Sequence, residues 1–259
     1  MNRRKSTDLC QAGRASRSKD GPPMTDIPAL PQVPLPPGAT EQENVYRRLR
    51  AAIMTGALAP ETVLTIRGLA AALACSPTPV REAVRRLSTE FAIEVLGNRR
   101  MRVPAMTPAR FEEVLSLRIA LESHAAERAL PYISDVIIAE VAAIDRQMDG
   151  ALAQGDQARL TVLNHDFHRR IYGANPHQAA MPMIESIWLQ LGPFQRQVIE
   201  NGLEFYLVDR HKEIIRALRA RDPVALAIAI EADIRDGIYR SGRQFLQRRA
   251  AGGAAPVIL

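Results

Sequence analysis

Pro77 and Pro79, two residues apart in CSPTPVREAVRRL (residues 75–87), fix the start of one helix more tightly than anything else in the chain. With Ser76 as N-cap, Pro77 falls at the first helical position, where a missing N–H has no intrahelical partner to lose. Pro79 is still in the first turn, so the helix cannot begin later. From Val80 the apolar residues recur as Val80, Ala83, Val84 and Leu87, one face at 3.6-residue spacing, leaving Thr78, Arg81, Arg85 and Ser88 on the other. Hydroxyls near the start and arginines one turn apart are the side chains that reach phosphates and guanine edges in a major groove. The same pattern also describes an ordinary solvated amphipathic helix.

The flanking segments favour the groove. VYRRLRAAIMTGALAPETVLTIRGLAAALACS reads as a helix from about residue 41 to 55, a turn at Gly56 and Pro60, and a second helix from about 65 to 74. After Leu87, residues 93–96 and 101–104 read as two short strands around a Gly97-Asn98 turn tipped with Arg99 and Arg100. Helix, helix-turn-helix, β-hairpin is the winged-helix order. It places the third helix in the major groove and the basic hairpin tip along the backbone or minor groove. Residues 41–103 hold ten Arg against six Glu, a net of +4, in a chain of formal charge +6. Such a surplus attracts phosphate without regard to sequence and weakens with salt.

The 259 residues, 47% hydrophobic, suffice for two cores. Residues 1–38 carry RRK, scattered Ser and Gly, and then PALPQVPLPPG, a composition that favours a disordered tail; Met24 is an alternative start. Residues 39–105 form the winged helix-turn-helix, 106–250 an all-helical domain and 251–259 a short flexible tail. Only Cys10 and Cys75 are present, too few for a disulfide framework or a cysteine zinc site. No apolar run approaches the roughly 20 residues that span a bilayer, and no apolar h-region begins the chain. The expected setting is therefore the cytoplasm, in association with the nucleoid.

From residue 107 onward every local signal is helical. Thr107-Pro108 and Asp222-Pro223 are cap-and-proline starts, and Gly155, Gly173 and Gly202 punctuate six helices at about 107–130, 133–153, 156–173, 178–200, 203–220 and 223–248. Their Ala, Leu and Ile content suits a packed bundle, so the fold class is mainly α with one small β-hairpin. Four polar residues fall on apolar stripes there: Asn164 and His168 beside Leu160, Phe167 and Ile171; His211 beside Val208, Ile215 and Leu218; Asp233 beside Leu226 and Ile230. Converging, they would supply two imidazoles and two oxygens, a donor set suited to one Zn²⁺, Ni²⁺ or Mn²⁺ per subunit. Taken singly, each is as readily a satisfied core or rim residue. Trp188 reads as core, and His124, His165 and His177 as solvated.

Arg67, Leu69-Ala70 and S-x-T-P-V-R-E-A-V-x-R-L over residues 76–87 resemble the DNA-binding domain of GntR-type bacterial transcription regulators. The resemblance implies DNA contacts at Arg67, Ser76, Thr78, Arg81 and the hairpin tip with Arg99 and Arg100; Arg85 joins them from its place on the exposed face. Pro77 stands where that family usually has a basic residue. Phe91 and Arg100 stand where it usually has glycine, which implies a different exit from the third helix and leaves the wing turn open. NHDFHRRIYGANP (164–176), DRHKEIIRALRARDPVALAIAIEADI (209–234) and SLRIALESHAAERA (116–129) resemble the FCD ligand-binding domain of the FadR branch. That likeness implies a divalent metal helping to hold a small carboxylate effector. Asn164 takes the place of the family's Asp and Asp233 that of its last His, while His168 and His211 match. Arg118 resembles the inward arginine that pairs with the effector carboxylate, with an ion pair to Glu122 one turn away as the alternative.

The function expected is that of a homodimeric, sequence-specific transcription regulator of double-stranded DNA, a repressor by resemblance, relieved by a small carboxylic acid and independent of any membrane. A metal-free pocket is the rival to the metal site. A nonspecific or architectural DNA-binding protein would explain the charge but not buried polar groups in the bundle. A metal-dependent enzyme would need a general base that no HExxH or nucleophile motif supplies.

Overall fold

The computed structural model describes residues 27–96, 100–201 and 210–252. Helix α1 (Glu41–Met54) starts at Thr40, whose hydroxyl accepts from the Glu43 N–H. After a turn at Gly56 (φ 72°) comes strand β1 (Val63–Thr65), which runs directly into α2 (Ile66–Leu73) because Thr65 is also that helix's N-cap, accepting from Gly68 N at 3.0 Å. Ala74 in the left-handed conformation and Cys75 then turn the chain into α3 (Pro77–Thr89), capped at Ser76 as the prolines require. Strands β2 (Glu94–Val95) and β3 (Arg100–Arg102) follow, and the antiparallel sheet has the order β1-β3-β2. The hairpin is thus part of a three-stranded sheet. The extra strand is only three residues long, too short for alternation to announce it.

One expectation drawn from the glycine positions is corrected. Phe91 does not change the exit from α3: it holds the left-handed conformation itself, at φ 58°, with Glu90 as C-cap and the Ala92 N–H returning to the Leu87 carbonyl at 3.0 Å. A bulky residue there carries strain of about 1 kcal/mol that glycine would not. Arg100 needs no positive φ, because it lies in β3 opposite Thr65. The Gly97-Asn98 turn and Arg99 lie outside the described residues.

Residues 27–36 depart from a disordered tail. Leu30 is buried, Ile27 packs beside Gly68, and Arg48 donates to the carbonyls of Pro31 and Leu30 at 3.1 and 3.3 Å. One guanidinium supplies the partners that the proline-rich backbone cannot find within itself. Residues 1–26, Met24 included, and 253–259 lie outside the described residues.

The helical part consists of α4 (Pro108–Ala129), α5 (Asp135–Ala153), α6 (Gln157–Tyr172), α7 (Met181–Glu200), α8 (His211–Ala220), α9 (Pro223–Ile234), a π-helical turn over Arg235–Tyr239, and α10 (Arg240–Gly252). The sixth expected helix is therefore α9 and α10 joined through the π turn; the expected start of the fifth, 203–209, lies outside the described residues. Helix α6 packs on α5 and α4, α4 on α9, and α8 on α5 and α9. Among the described residues no helix is long and apolar enough to cross a membrane.

The two halves meet through α1 and α7. A Cβ at Gly192 would stand 2.4 Å from the Met54 carbonyl oxygen, so the end of α1 touches α7 main chain to main chain. One residue later Pro193 breaks the hydrogen-bond ladder of α7.

Candidate functional site

On the N-terminal half, α3 buries Val80, Ala83, Val84 and Leu87 and turns Ser76, Thr78, Arg81 and Arg85 outward. Arg67 at the start of α2 and Arg100 on β3 are exposed as well. Ser76 makes no side-chain cap bond, and Pro77 and Pro79 remove two N–H groups from the first turn of α3. Hydroxyls therefore replace main-chain donors as the groups this helix start can offer a phosphate. Arg85 is paired within the helix to Glu82 at 2.9 Å, while Arg81 and Arg67 have no ion pair among the described residues. A groove of ≈500 Å³ between α1 and α3, lined by Tyr46, Glu82 and Arg86, holds none of the polar constellation of the bundle.

That constellation lies between α4, α5, α6, α8 and α9. His168, His211 and Asp233 are buried, and one ligand atom from each lies within 4.8 Å of the other two. His211 Nδ1 stands 3.1 Å from Asp145 Oδ1, and Asn164 Nδ2 lies 3.4 Å from His211 Nε2. Those partners make Nδ1 the donor and let Nε2 accept from the Asn164 amide, with Asp233 Oδ1 3.7 Å from the same nitrogen. His168 is fixed in the same sense from the opposite side. Tyr172 donates its hydroxyl proton to Glu122 Oε2 at 2.8 Å, so it accepts from His168 Nδ1 at 3.0 Å. His168 Nε2 then lies 3.2 Å from Asp233 Oδ2, a spacing that calls for a proton or another cation between them. Burial alone would push the Asp233 carboxyl up, but His168, His211 and the nearby Arg118 outweigh it and hold it below its ordinary value.

Of the two alternatives the sequence offered for Arg118, the structure shows the ion pair with Glu122. Its Nε donates to Glu122 Oε1 at 2.7 Å, and it also lines a ≈20 Å³ cavity with Asn164, Gln195, Asp233 and Gly237 of the π turn. Glu122, wholly buried, additionally accepts from Trp188 Nε1 at 2.7 Å. Burial, and then the neighbouring Glu122, push the Tyr172 hydroxyl well up, which keeps it a donor.

The structure brings together Asn164, His168, His211, Asp233 and Arg118. His165 is a correction: it is buried, stacked on Trp188 at 4.6 Å, and held well below its ordinary pKa, first by burial and then by Arg118 and Arg169. Helix α6 is covered by α5, α4 and Trp188, so more than one stripe of it is inside. His124 and His177 are exposed and Trp188 is core. Asp145, Tyr172 and Gln195 escape the sequence reading, as do the second and third donors of Glu122. Two had a signal: Asp145 continues the stripe Ile138, Val141, Met148, and Tyr172 follows His168 by one turn.

Residues 41–103 match the bacterial regulatory proteins of the gntR family, and residues 113–236 match the FCD domain. The HTH-type transcriptional regulator McbR of Escherichia coli (strain K12) is 29% identical over 186 residues, 69% of this chain and 82% of that protein. An HTH-type transcriptional regulator from the TAR-I ttuE-ttuC' intergenic region of Agrobacterium vitis is 32% identical over 130 residues, 49% of this chain and 75% of its own length. The solved structure of E. coli McbR/YncC superposes with a TM-score of 0.72 at 24% identity, covering 80% of this chain and 99% of that one.

Proposed function

Since the chain belongs to the gntR family of bacterial regulatory proteins and carries an FCD domain, we propose that it is a ligand-responsive transcription regulator whose α3 reads an operator and whose bundle cavity takes a small carboxylate beside a divalent metal. It is a transcriptional regulator by family; the sites, the ligand and the metal are what is proposed. The observation that carries the ligand half is the buried cluster of His168, His211 and Asp233, with His168 Nε2 3.2 Å from Asp233 Oδ2 and one ligand atom of each within 4.8 Å of the others.

His168, His211 and Asp233 would hold the metal, with Asn164 turning its amide oxygen toward it. Two imidazoles with oxygen donors suit Zn²⁺, Ni²⁺ or Mn²⁺, and bound there the ion supplies an open position for an anionic oxygen. Asp145 fixes the His211 ring and Tyr172 that of His168. Arg118, aimed by Glu122, offers its remaining guanidinium donors to a carboxylate. The cavity has room for little more than one water, so an organic acid enters only as the π turn and its Gly237 give way. On the other half, Arg67, Ser76, Thr78, Arg81, Arg85 and Arg100, with Arg99, form the DNA surface. A homodimer would set two copies of α3 about one helical turn of DNA apart, on a pseudo-palindrome. The packed pair α4 and α9 leaves Leu117, Val224 and Ile228 exposed for a second copy to cover. An acid that prefers one arrangement of the halves shifts operator affinity by its difference in binding free energy, and as a repressor the protein would release DNA.

Two measurements test the two halves separately. In selection from random duplexes, the purified protein should enrich a short palindrome, and Arg81→Ala should weaken binding to it by about 1–3 kcal/mol, roughly 5–150-fold. Equal, salt-sensitive retention of all duplexes by both proteins would leave only architectural binding. In calorimetric titration with Zn²⁺, the wild type should take one ion per chain, and His168→Ala should lose more than the roughly 10–100-fold that outer-shell changes cost. No uptake by the wild type would mean a metal-free pocket.

A further inference from the structure

Five side chains of alternating charge run in a line from the bundle site to the DNA-binding half. Asp166 Oδ1 accepts from Arg169 Nη1 at 2.6 Å, and Arg169 Nε donates to Glu185 Oε1 at 3.0 Å. The other oxygen of Glu185 accepts from Arg50 Nη2 at 2.8 Å, and Arg50 Nε stands 3.8 Å from Glu90 Oε2. These residues belong in turn to α6, α7, α1 and the C-cap of α3. Beside them Ser186 donates its hydroxyl to the Glu90 carbonyl at 2.7 Å, and Tyr46 donates to Glu90 Oε1 at 2.6 Å.

The upper end of the line lies next to the site by two routes. Arg169 directly follows His168 on α6, so a shift of that helix moves the first rungs. Its guanidinium lies 5.6 Å from the ring of Trp188, whose N–H is held by Glu122, the carboxylate that also aims Arg118. One turn of α7, residues 185–188, therefore receives contacts from Arg169 of α6 and Glu122 of α4 and passes contacts to α1 and to the exit of α3.

Pairs this accessible contribute little to stability singly. Their arrangement matters more, because Arg169 is shared between Asp166 and Glu185, and Arg50 between Glu185 and Glu90. A shared cation has two discrete partners to choose between, which is the kind of bistable element that coupling between distant sites requires. We propose that the ladder Asp166, Arg169, Glu185, Arg50, Glu90 is the route by which occupancy of the bundle cavity alters the presentation of α3. The inference rests on the ligand-responsive DNA binding proposed above and adds the residues that transmit it. Coupling is reciprocal, so DNA binding at α3 must be felt at the cavity end of the same ladder.

Trp188 is the only tryptophan in the chain and sits at that end, which makes it a built-in reporter. The experiment uses the full chain and a dye-labelled duplex enriched by the wild type, with anisotropy recording binding and tryptophan emission recording the response. Duplex should shift Trp188 emission in the wild type. Glu185→Gln should still bind the duplex but lose the shift, and Arg169→Gln, one rung away, should behave alike. Arg249→Gln removes a different ion pair between the halves, to Glu61 at 3.3 Å, and should keep it. A wild type that binds without any shift overturns the ladder, as does a shift preserved in Glu185→Gln and Arg169→Gln, or one lost equally in Arg249→Gln. Absence of duplex binding by the wild type shows in the anisotropy alone; it overturns the proposed function and this inference with it.

Discussion

Replacing Glu122 by alanine should destabilise the protein by about 3–5 kcal/mol, the usual cost of removing one partner from a buried charged pair. Glu122 is fully buried and accepts from Arg118, Trp188 and Tyr172. Without it a guanidinium, an indole N–H and a phenol would remain inside with no acceptor in place, and His168 would lose the hydroxyl orientation that fixes its tautomer. The expected fall in thermal midpoint is about 6–20 °C for a chain of this size. Glu122→Gln keeps an acceptor oxygen and should recover part of the loss. Circular dichroism melts of the three proteins decide it: a shift below about 3 °C for alanine would mean that water replaces the carboxylate and that Glu122 does not organise the cavity.

The second large effect should come from Gly192→Val. The added Cβ meets main-chain atoms of Met54 and Ile53 at 2.4–2.9 Å, and backbone cannot rotate aside as a side chain can. Overpacking of this kind costs about 3 kcal/mol and should part α7 from α1. Gly150→Ala is the fitting control, because no atom lies within 4 Å of its Cβ and alanine is the better helix former by about 0.5–1 kcal/mol. Destabilisation at 192 beside neutral or improved stability at 150 would locate the contact between the halves as described; equal behaviour of the two would remove it.

Helix starts were the most legible part of the fold, because Pro77, Pro108 and Pro223 each stand just after a Ser, Thr or Asp cap, a local rule that tertiary packing did not override. Strand β1 was not legible, since three residues have no period and their partner lies across the wing. Within the site, stripe position turned Asn164, His168, His211 and Asp233 inward, while only the resemblance to the FCD domain gathered them into one place. It failed at His165 because periodicity measures one buried face, and α6 is covered by Trp188 as well as by α4 and α5. Glu122 was invisible as a hub for a different reason: its donors come from residues 118, 172 and 188, and nothing local at position 122 announces the last two. Phe91 shows the reverse limit, a left-handed position kept without the glycine that would mark it.

The contact of Gly192 with Met54 has a mechanical consequence. Side chains interleaved at a joint can slide past one another in small steps, but main chain on main chain leaves no layer to shear. Such a joint would serve as a fulcrum, about which the N-terminal half could turn but not slide. In a dimer whose recognition helices must span about 34 Å to meet successive half-sites, a few degrees of such rotation is multiplied by the length of the arm into a change of reach. Sensitivity to ligand would then depend on leverage, and a residue added at the fulcrum would blunt the response even where it touched neither the cavity nor the DNA.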